Sequence, residues 1–404
     1  QWGSTVNAGA VESVRRAFDD ATPADAIRGI YQIETDLFGP PPDIDRDARI
    51  YLLLLDILDG ATLRSGFVAG FFSPVNEQRG ILRHPELGTM IRSNELDMLY
   101  IDTHPLDAGS QEGASVIAHE FQHLIHWRYD TDEEVWVNEG GSNYAMFLCG
   151  YSVQTHVEAF ERNPEVSLIN WPSGTQSQLA YYGAAYLWML YLHEHYGGAG
   201  TIAAIVKNRG HGITGVNNSL LSRGVTKTFP AIFADWKIAN YLDDTTFANG
   251  QYAYQNERLN LRLRREHRSY PIAVDANVID SYAANYIIFS APPSIPPPTL
   301  GGKGGGLNIA FETDGEYPYD VQAIEVKGGQ SVAIRNMPLT ETGKGNLIIS
   351  HFGTTVDKVI LVPSVQPKSN SPGVIASSYA YSAKEGEKVE FRTAVLPNPV
   401  HPRY

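Results

Sequence analysis

Two histidines and a glutamate stand at the spacing that lets imidazole rings share one metal ion. His119 and His123 are four apart in the stretch Ala118-His-Glu-Phe-Gln-His-Leu124. On a helix such a pair shares a face, with Cβ atoms about 5–6 Å apart, and both rings can approach one zinc ion at about 2.0–2.1 Å. Glu120 lies about 100° further round the helix, beside the metal without being forced to bind it. A carboxylate there suits a base that takes a proton from water. Cys149 is the single cysteine, so a thiolate zinc site and an intrachain disulfide are both excluded. Cys149 is expected to be a small buried hydrophobe.

A catalytic zinc site needs a third protein ligand and an open fourth position. Glu139 is the candidate. With one helix ending near Tyr129 and the next starting near Thr131, His123 lies about 9 Å before the turn and Glu139 about 12 Å after it. A helical hairpin brings the two to similar depth, and the carboxylate balances part of the metal charge. His126 shares the face of His119 and His123, but three rings along one helix form a line and do not surround an ion. It is read as a hydrogen-bonded histidine near the helix end. Asn143, four residues after Glu139, is placed to orient a ligand from behind. Tyr181 and Tyr182 open a later apolar helix, and a phenol O–H from either would stabilise an oxyanion. Both are retained.

The segment His119-Glu120-x-x-His123 followed by Asn138-Glu139 resembles the gluzincin metallopeptidases. In thermolysin-like members the third ligand lies in an Asn-Glu-x-x-Ser-Asp segment. This chain reads Asn138-Glu139-Gly140-Gly141-Ser142-Asn143; it matches through Ser142 and departs at Asn143. Fifteen residues separate His123 from Glu139, fewer than in thermolysin-like enzymes. The wording H-E-F-Q-H, then W-V-N-E-G, looks most like the hyicolysin family. The resemblance covers roughly residues 50–245 and is specific in 119–143. It implies one zinc ion, Glu120 as general base and acid, a protein or peptide substrate, and a zincin-like pair of lobes. Tyr181-Tyr182-Gly183-Ala184 resembles the tyrosine-bearing helix of zinc aminopeptidases in a shifted register. The Gly-x-Met-x-Asn segment that holds a free amine in those enzymes is absent upstream of His119. The expectation is therefore an endopeptidase, with an exopeptidase or amidase as the alternative on the same site. From another class, the alternative is an extracellular binding or adhesion protein with a structural or vestigial zinc site.

The elements that must position these residues follow from periodicity. Ser110 is placed to cap the metal helix, with Glu112 in its first turn, and Val116, Ile117, Phe121, Leu124 and Ile125 form its apolar surface. Thr131 and Glu134 have the capping-box spacing for the next helix. Leu179–Tyr196 is apolar nearly all round, the mark of a buried helix. Upstream, Ile50–Leu55 reads as a buried strand, with further strands at 66–72 and 98–102. Downstream, the prolines of 292–298 and glycines of 301–306 form a linker. Seven short alternating segments follow, the last being Lys388–Arg392. The expected fold is α+β. Residues 1–291 form a zincin-like domain, with a mixed sheet lobe over 1–109, a helical lobe over 110–245 and a tail over 246–291. Residues 292–306 are the linker and 307–404 a small all-β sandwich domain.

Composition closes off other classes. A chain of 404 residues with 43% hydrophobic residues can build a sizeable core. A net charge of −14 disfavours nucleic acid, which needs clustered Lys and Arg. The longest apolar run, Ile50–Leu55, falls far short of the roughly 20 residues that span a bilayer. The start at Gln1, without Met or a leader, is expected of a processed, secreted chain. Calcium is compatible with the acidic balance, and no calcium site and no oligomeric state is assigned from sequence.

Overall fold

The computed structural model describes residues 3, 5–60, 66–83, 88–172, 178–292, 306–367 and 376–386. It is a mixed helix and sheet structure with several sheets. In chain order, α1 (Ala8–Arg15) and α2 (Ile30–Phe38) precede β1 (Tyr51–Leu55), β2 (Gly70–Phe72), β3 (Ile81–Arg83), β4 (Met90–Arg92) and β5 (Met98–Asp102). Helices α3 (Gln111–Tyr129), α4 (Val135–Leu148), α5 (Gln154–Arg162), α6 (Gln178–His195), α7 (Ala199–Val206), α8 (Gly212–Ser222) and α9 (Phe229–Leu242) follow. Then come β6 (Glu266–His267), β7 (Ile272–Asp280), β8 (Ile287–Ser290), β9 (Leu307–Thr313), β10 (Tyr319–Lys327), β11 (Gln330–Asn336), β12 (Lys344–Ile349), β13 (Lys358–Val365) and β14 (Ala376–Glu385). Two compact units result: residues 1–156 with 185–226, and 157–184 with 227–404.

In the first unit a three-stranded sheet runs β1-β5-β2, with β1 parallel and β2 antiparallel to β5. The central strand β5 is the buried one. The run at Ile50–Leu55, expected to be buried, forms an edge: Tyr51 is 38% and Leu53 42% exposed. A one-sided edge strand tolerates apolar residues on its outer face, so a continuous apolar run does not by itself distinguish it from a central strand. The Ser110 side chain accepts from Gly113 N–H at 3.1 Å and caps α3 as expected. Ile117, Ala118, Phe121, Leu124 and Ile125 are fully buried. The Phe121 ring meets Phe18 edge-on at 5.1 Å and stacks on Tyr31 at 5.6 Å. Each large apolar side chain among them contributes about 1.5–3 kcal/mol of burial, so α3 is anchored by this face. The capping box does not form. Helix α4 starts at Val135 with Glu134 as its N-cap and no side-chain cap; residues 130–134 cross the gap in bends and extended backbone. Gly140 lets α4 approach the middle of α6: a Cβ there would lie 3.0 Å from the Ala185 carbonyl and 3.1 Å from Met189. Residues 184–192 of α6 are fully buried, as their all-round apolarity requires.

In the second unit a five-stranded sheet, β11-β10-β13-β8-β6, and a four-stranded sheet, β12-β9-β14-β7, share one apolar core. Ile287, Phe289 and Leu361 come from the first sheet; Leu307, Phe311 and Tyr379 come from the second. Strands β7 and β8, which precede the Pro/Gly segment, are hydrogen-bonded to β14 and β13, which follow it. The expected linker at 292–306 lies outside the described residues except at its two ends, and the expected strand at 388–392 lies wholly outside them. Lys237 of α9 is fully buried and donates to the Asp320 and Val362 carbonyls and to Ser364 Oγ, each at 2.9 Å.

Candidate metal centre

Helices α3 and α4 bring three donor atoms to one point. His119 Nε2 lies 3.1 Å from Glu139 Oε2, and His123 Nε2 lies 3.1 Å from His119 Nε2 and 3.5 Å from Glu139 Oε2. Two donors about 2.0–2.1 Å from one tetrahedral ion stand about 3.3 Å apart, and the three separations bracket that value. Two imidazoles and a carboxylate are also a donor set zinc accepts. The residues therefore fit the ion that the spacing implies.

The orientation of His123 is set from behind. Asn138 Oδ1 and Ser142 Oγ each lie 3.0 Å from its Nδ1. Asn138 Oδ1 can only accept and Ser142 Oγ gives its proton to Gln122 Oε1 at 2.6 Å, so the ring nitrogen is the donor to both. With the Nδ1 proton held there, Nε2 faces Glu139 and His119, and its lone pair becomes available to a metal that displaces the Nε2 proton. In the metal-free protein, burial disfavours the His123 cation, but Glu139 overrides it and holds the ring up to about 9. Glu139 is itself buried, yet His123 and His119 hold its carboxyl well below the usual range.

Glu120 is 7% exposed. Its Oε2 accepts the backbone N–H of Phe72 on the edge strand β2 at 2.9 Å. Burial raises its pKa, against the opposing pull of His119 and His123. A carboxylate so placed both takes and returns a proton more readily near neutral pH than a solvated one.

The remaining sequence candidates fall as follows. Asn143 is fully buried on α4, one residue beyond Ser142. His126 is buried and held neutral, down to about 3, by burial and then by His123; among the described residues it does not join the converging donors. Tyr181 and Tyr182 belong to the other unit, where they pack against Trp171 at ring distances of 5.8 and 5.1 Å. Burial, then Asp280, raises the Tyr181 pKa. Cys149 is fully buried, and burial followed by Glu34 pushes its thiol up, which leaves it inert at neutral pH.

Sequence reasoning missed three residues near the centre. Asn138 and Ser142 flank Glu139 on α4 at offsets of one and three, visible only once α4 is known to face α3. His156 precedes the second turn of α5, and its pKa is pushed down to about 4 by burial and then by His119, with Glu139 opposing. It is a neutral imidazole within electrostatic reach of two of the candidate ligands. No periodic pattern ties it to them.

No family model matches the chain. The neutral metalloprotease ShpI of Staphylococcus hyicus is 24% identical over 173 residues, covering 38% of this chain and 37% of that protein. The match thus spans well under half the length of its relative, and it supports no more than a distant relationship to a metalloprotease. Among solved structures, the pre-peptidase C-terminal domain of a Bacillus anthracis collagenase is 12% identical, covering 31% of this chain and all of that one, with a TM-score of 0.20. PliG of Aeromonas hydrophila, a periplasmic inhibitor of g-type lysozyme, is 7% identical over 30% of this chain and 95% of its own, also at 0.20. At those scores neither likeness bears on fold or function. Among the described residues no helix is long and apolar enough to cross a membrane.

Proposed function

We propose that the chain is a zinc-dependent endopeptidase. The observation that carries this reading is the convergence of His119, His123 and Glu139 at 3.1–3.5 Å with the buried Glu120 carboxylate beside them. The distant relationship to a neutral metalloprotease supports it. A zinc ion held by these three ligands would act as a Lewis acid and lower the pKa of a bound water to about 7. Glu120 takes the proton from the attacking water and hands it to the leaving amine nitrogen, so one carboxyl serves as base and then as acid. The Phe72 N–H holds that carboxyl in place between the two transfers. Asn138, with Ser142, fixes the His123 ring, and Asn143 supports α4 behind Glu139.

The developing oxyanion needs a neutral donor. His156 is the candidate within the unit that carries the centre. Tyr181 and Tyr182 are the candidates from sequence. Substituting His156→Phe, Tyr181→Phe and Tyr182→Phe singly separates them: loss of the true donor lowers kcat by about 10²–10³ with zinc content unchanged.

The reading is tested by stripping the protein with a chelator and assaying casein and amino-blocked peptides. Cleavage should vanish and return with one equivalent of zinc, and blocked peptides should be cut within the chain. Cleavage that survives complete removal of metal refutes a metallopeptidase. Turnover confined to peptides with a free amine replaces the endopeptidase with an exopeptidase.

A further inference from the structure

A second set of carboxylates converges in the first unit, and none of its members belongs to the zinc centre. Asp43, Asp45 and Asp97 each present an oxygen within 4.8 Å of the others. Glu77, five residues beyond β2, turns its carboxyl onto that of Asp97 and lies near Asp45. Asp97 is 1% exposed. Its Oδ2 accepts Ile44 N–H at 3.1 Å, while its Oδ1 is buried with no hydrogen-bond partner. Both carboxyl oxygens of Glu77 are likewise buried, and the group they face is another carboxyl, that of Asp97.

Such an arrangement costs free energy unless something positive sits in it. Buried carboxylates without a cation or donors pay their full desolvation, and facing each other they repel. Burial and then Asp97 push Glu77 up to about 9, and burial raises Asp97 as well. The side-chain cations nearby are engaged elsewhere: Arg79 donates to the Ile44 carbonyl at 3.0 Å, and Arg49 pairs with Asp47. Among the described residues no Lys, Arg or His forms an ion pair with any of the four carboxylates. The positions are also fixed by backbone. Asp97 leads directly into β5, and its carbonyl accepts Tyr51 N–H of β1 at 2.9 Å.

We propose that Asp43, Asp45, Glu77 and Asp97 bind a calcium ion. The donors are all oxygen, which selects a hard cation over zinc or another transition metal. Calcium takes six to eight oxygens at about 2.3–2.6 Å in flexible geometry, whereas magnesium demands a near-ideal octahedron. Two ligands on the segment before β1, one in the turn after β2 and one at the entry to β5 suit the former. The alternation Asp43-x-Asp45-x-Asp47 supplies carboxylates at the spacing of a calcium loop, but Asp47 turns to Arg49 and Ala48 stands where an EF-hand needs glycine. The site is therefore completed by residues remote in sequence. A cation here ties together the segment before β1, the turn after β2 and the entry to β5. Those are the three strands of the sheet whose edge holds Glu120, so the ion would keep β2 in register over α3. The inference does not depend on the zinc reading.

The test uses the full chain, stripped of metal and reloaded with one equivalent of zinc, then titrated with calcium chloride by calorimetry and followed by thermal melting. We expect one calcium per chain with Kd in the range of about 10⁻⁵–10⁻³ M and a Tm that rises with calcium. Asp45→Asn and Glu77→Gln should each weaken calcium binding by about tenfold or more. In calcium-free buffer Glu77→Gln should melt at or above the wild type, because it removes one of two facing carboxyls; a variant that merely misfolds melts lower. His119→Ala, without zinc, should keep wild-type calcium affinity, which separates this site from the zinc centre. No calcium binding up to about 10 mM, unchanged affinity in both carboxylate variants, or equal binding of magnesium would each overturn the proposal.

Discussion

Gly70 sits where β2 passes over α3, and replacing it with alanine tests how tightly the sheet holds the proton-transferring carboxyl. A Cβ built there would lie 2.7 Å from Val116 Cγ1, 2.8 Å from the Tyr100 carbonyl oxygen and 3.3 Å from Glu120 Cγ. The Tyr100 oxygen is backbone of β5, paired with β2 through Phe71, so it cannot rotate aside as a side chain would. The strand must lift from the helix, and the 2.9 Å bond from Phe72 N–H to Glu120 stretches with it. Overpacking costs about 1–3 kcal/mol, and a weakened bond to a carboxylate adds part of a further 1.5–3 kcal/mol or so. A net loss of about 2–4 kcal/mol in a unit of about 200 residues lowers its Tm by roughly 4–15 °C. At 25 °C, where Gly70→Ala remains folded, cleavage should fall by about tenfold or more at full zinc content, because Glu120 loses its fixed position. The assay is thermal melting with metal analysis and kcat/KM on one peptide. A Tm within about 1 °C of wild type together with cleavage within twofold would refute the packing argument.

Two further outcomes follow from the same geometry. Asn138→Ala removes the acceptor for His123 Nδ1–H and should weaken zinc affinity by about 10–100-fold, measured by competition with a chromophoric chelator; an unchanged affinity would show that Ser142 alone orients the ring. In the metal-free protein the His123 pKa is raised, so its contribution to stability is full below the unfolded value near 6.5 and is lost as pH rises through about 9. The Glu139 pKa is lowered, so its contribution is present above the unfolded value near 4.5 and is lost on acidification below that. Metal-free protein should therefore lose stability from this pair on raising pH from 7 to 9.5, and zinc-loaded protein should not; urea melts at both pH values decide it.

The convergence of the candidate donors was legible because it rests on local rules. The i, i+4 histidines, the Ser110 cap and the apolar face with Phe121 are all properties of one helix, and each holds in the structure. Glu139 was legible through the length of the hairpin, although α4 starts at Val135 and not at Thr131. What could not be read depends on contacts between distant segments. Asn138 was adjacent to a candidate ligand but gave no sign of facing His123. His156 comes from a different helix and is tied to the centre by its electrostatic interaction with His119 and Glu139. The exposure of β1 depends on its edge position, and an apolar run of five looks the same at an edge or a centre. The pairing of β7 with β14 and of β8 with β13 crosses the Pro/Gly segment that suggested a boundary. The four carboxylates come from three separate segments, Asp43 with Asp45, Glu77, and Asp97, and were not read from the sequence.

The central claim is that Glu120 moves the proton while His119, His123 and Glu139 hold the metal. Glu120→Gln tests it most directly, because the amide keeps size and polarity and leaves the three ligands intact. With zinc content and casein cleavage measured on the same sample, the account predicts one zinc per chain and a loss of cleavage of about 10²–10⁴-fold. Wild-type cleavage by the fully loaded variant would contradict it.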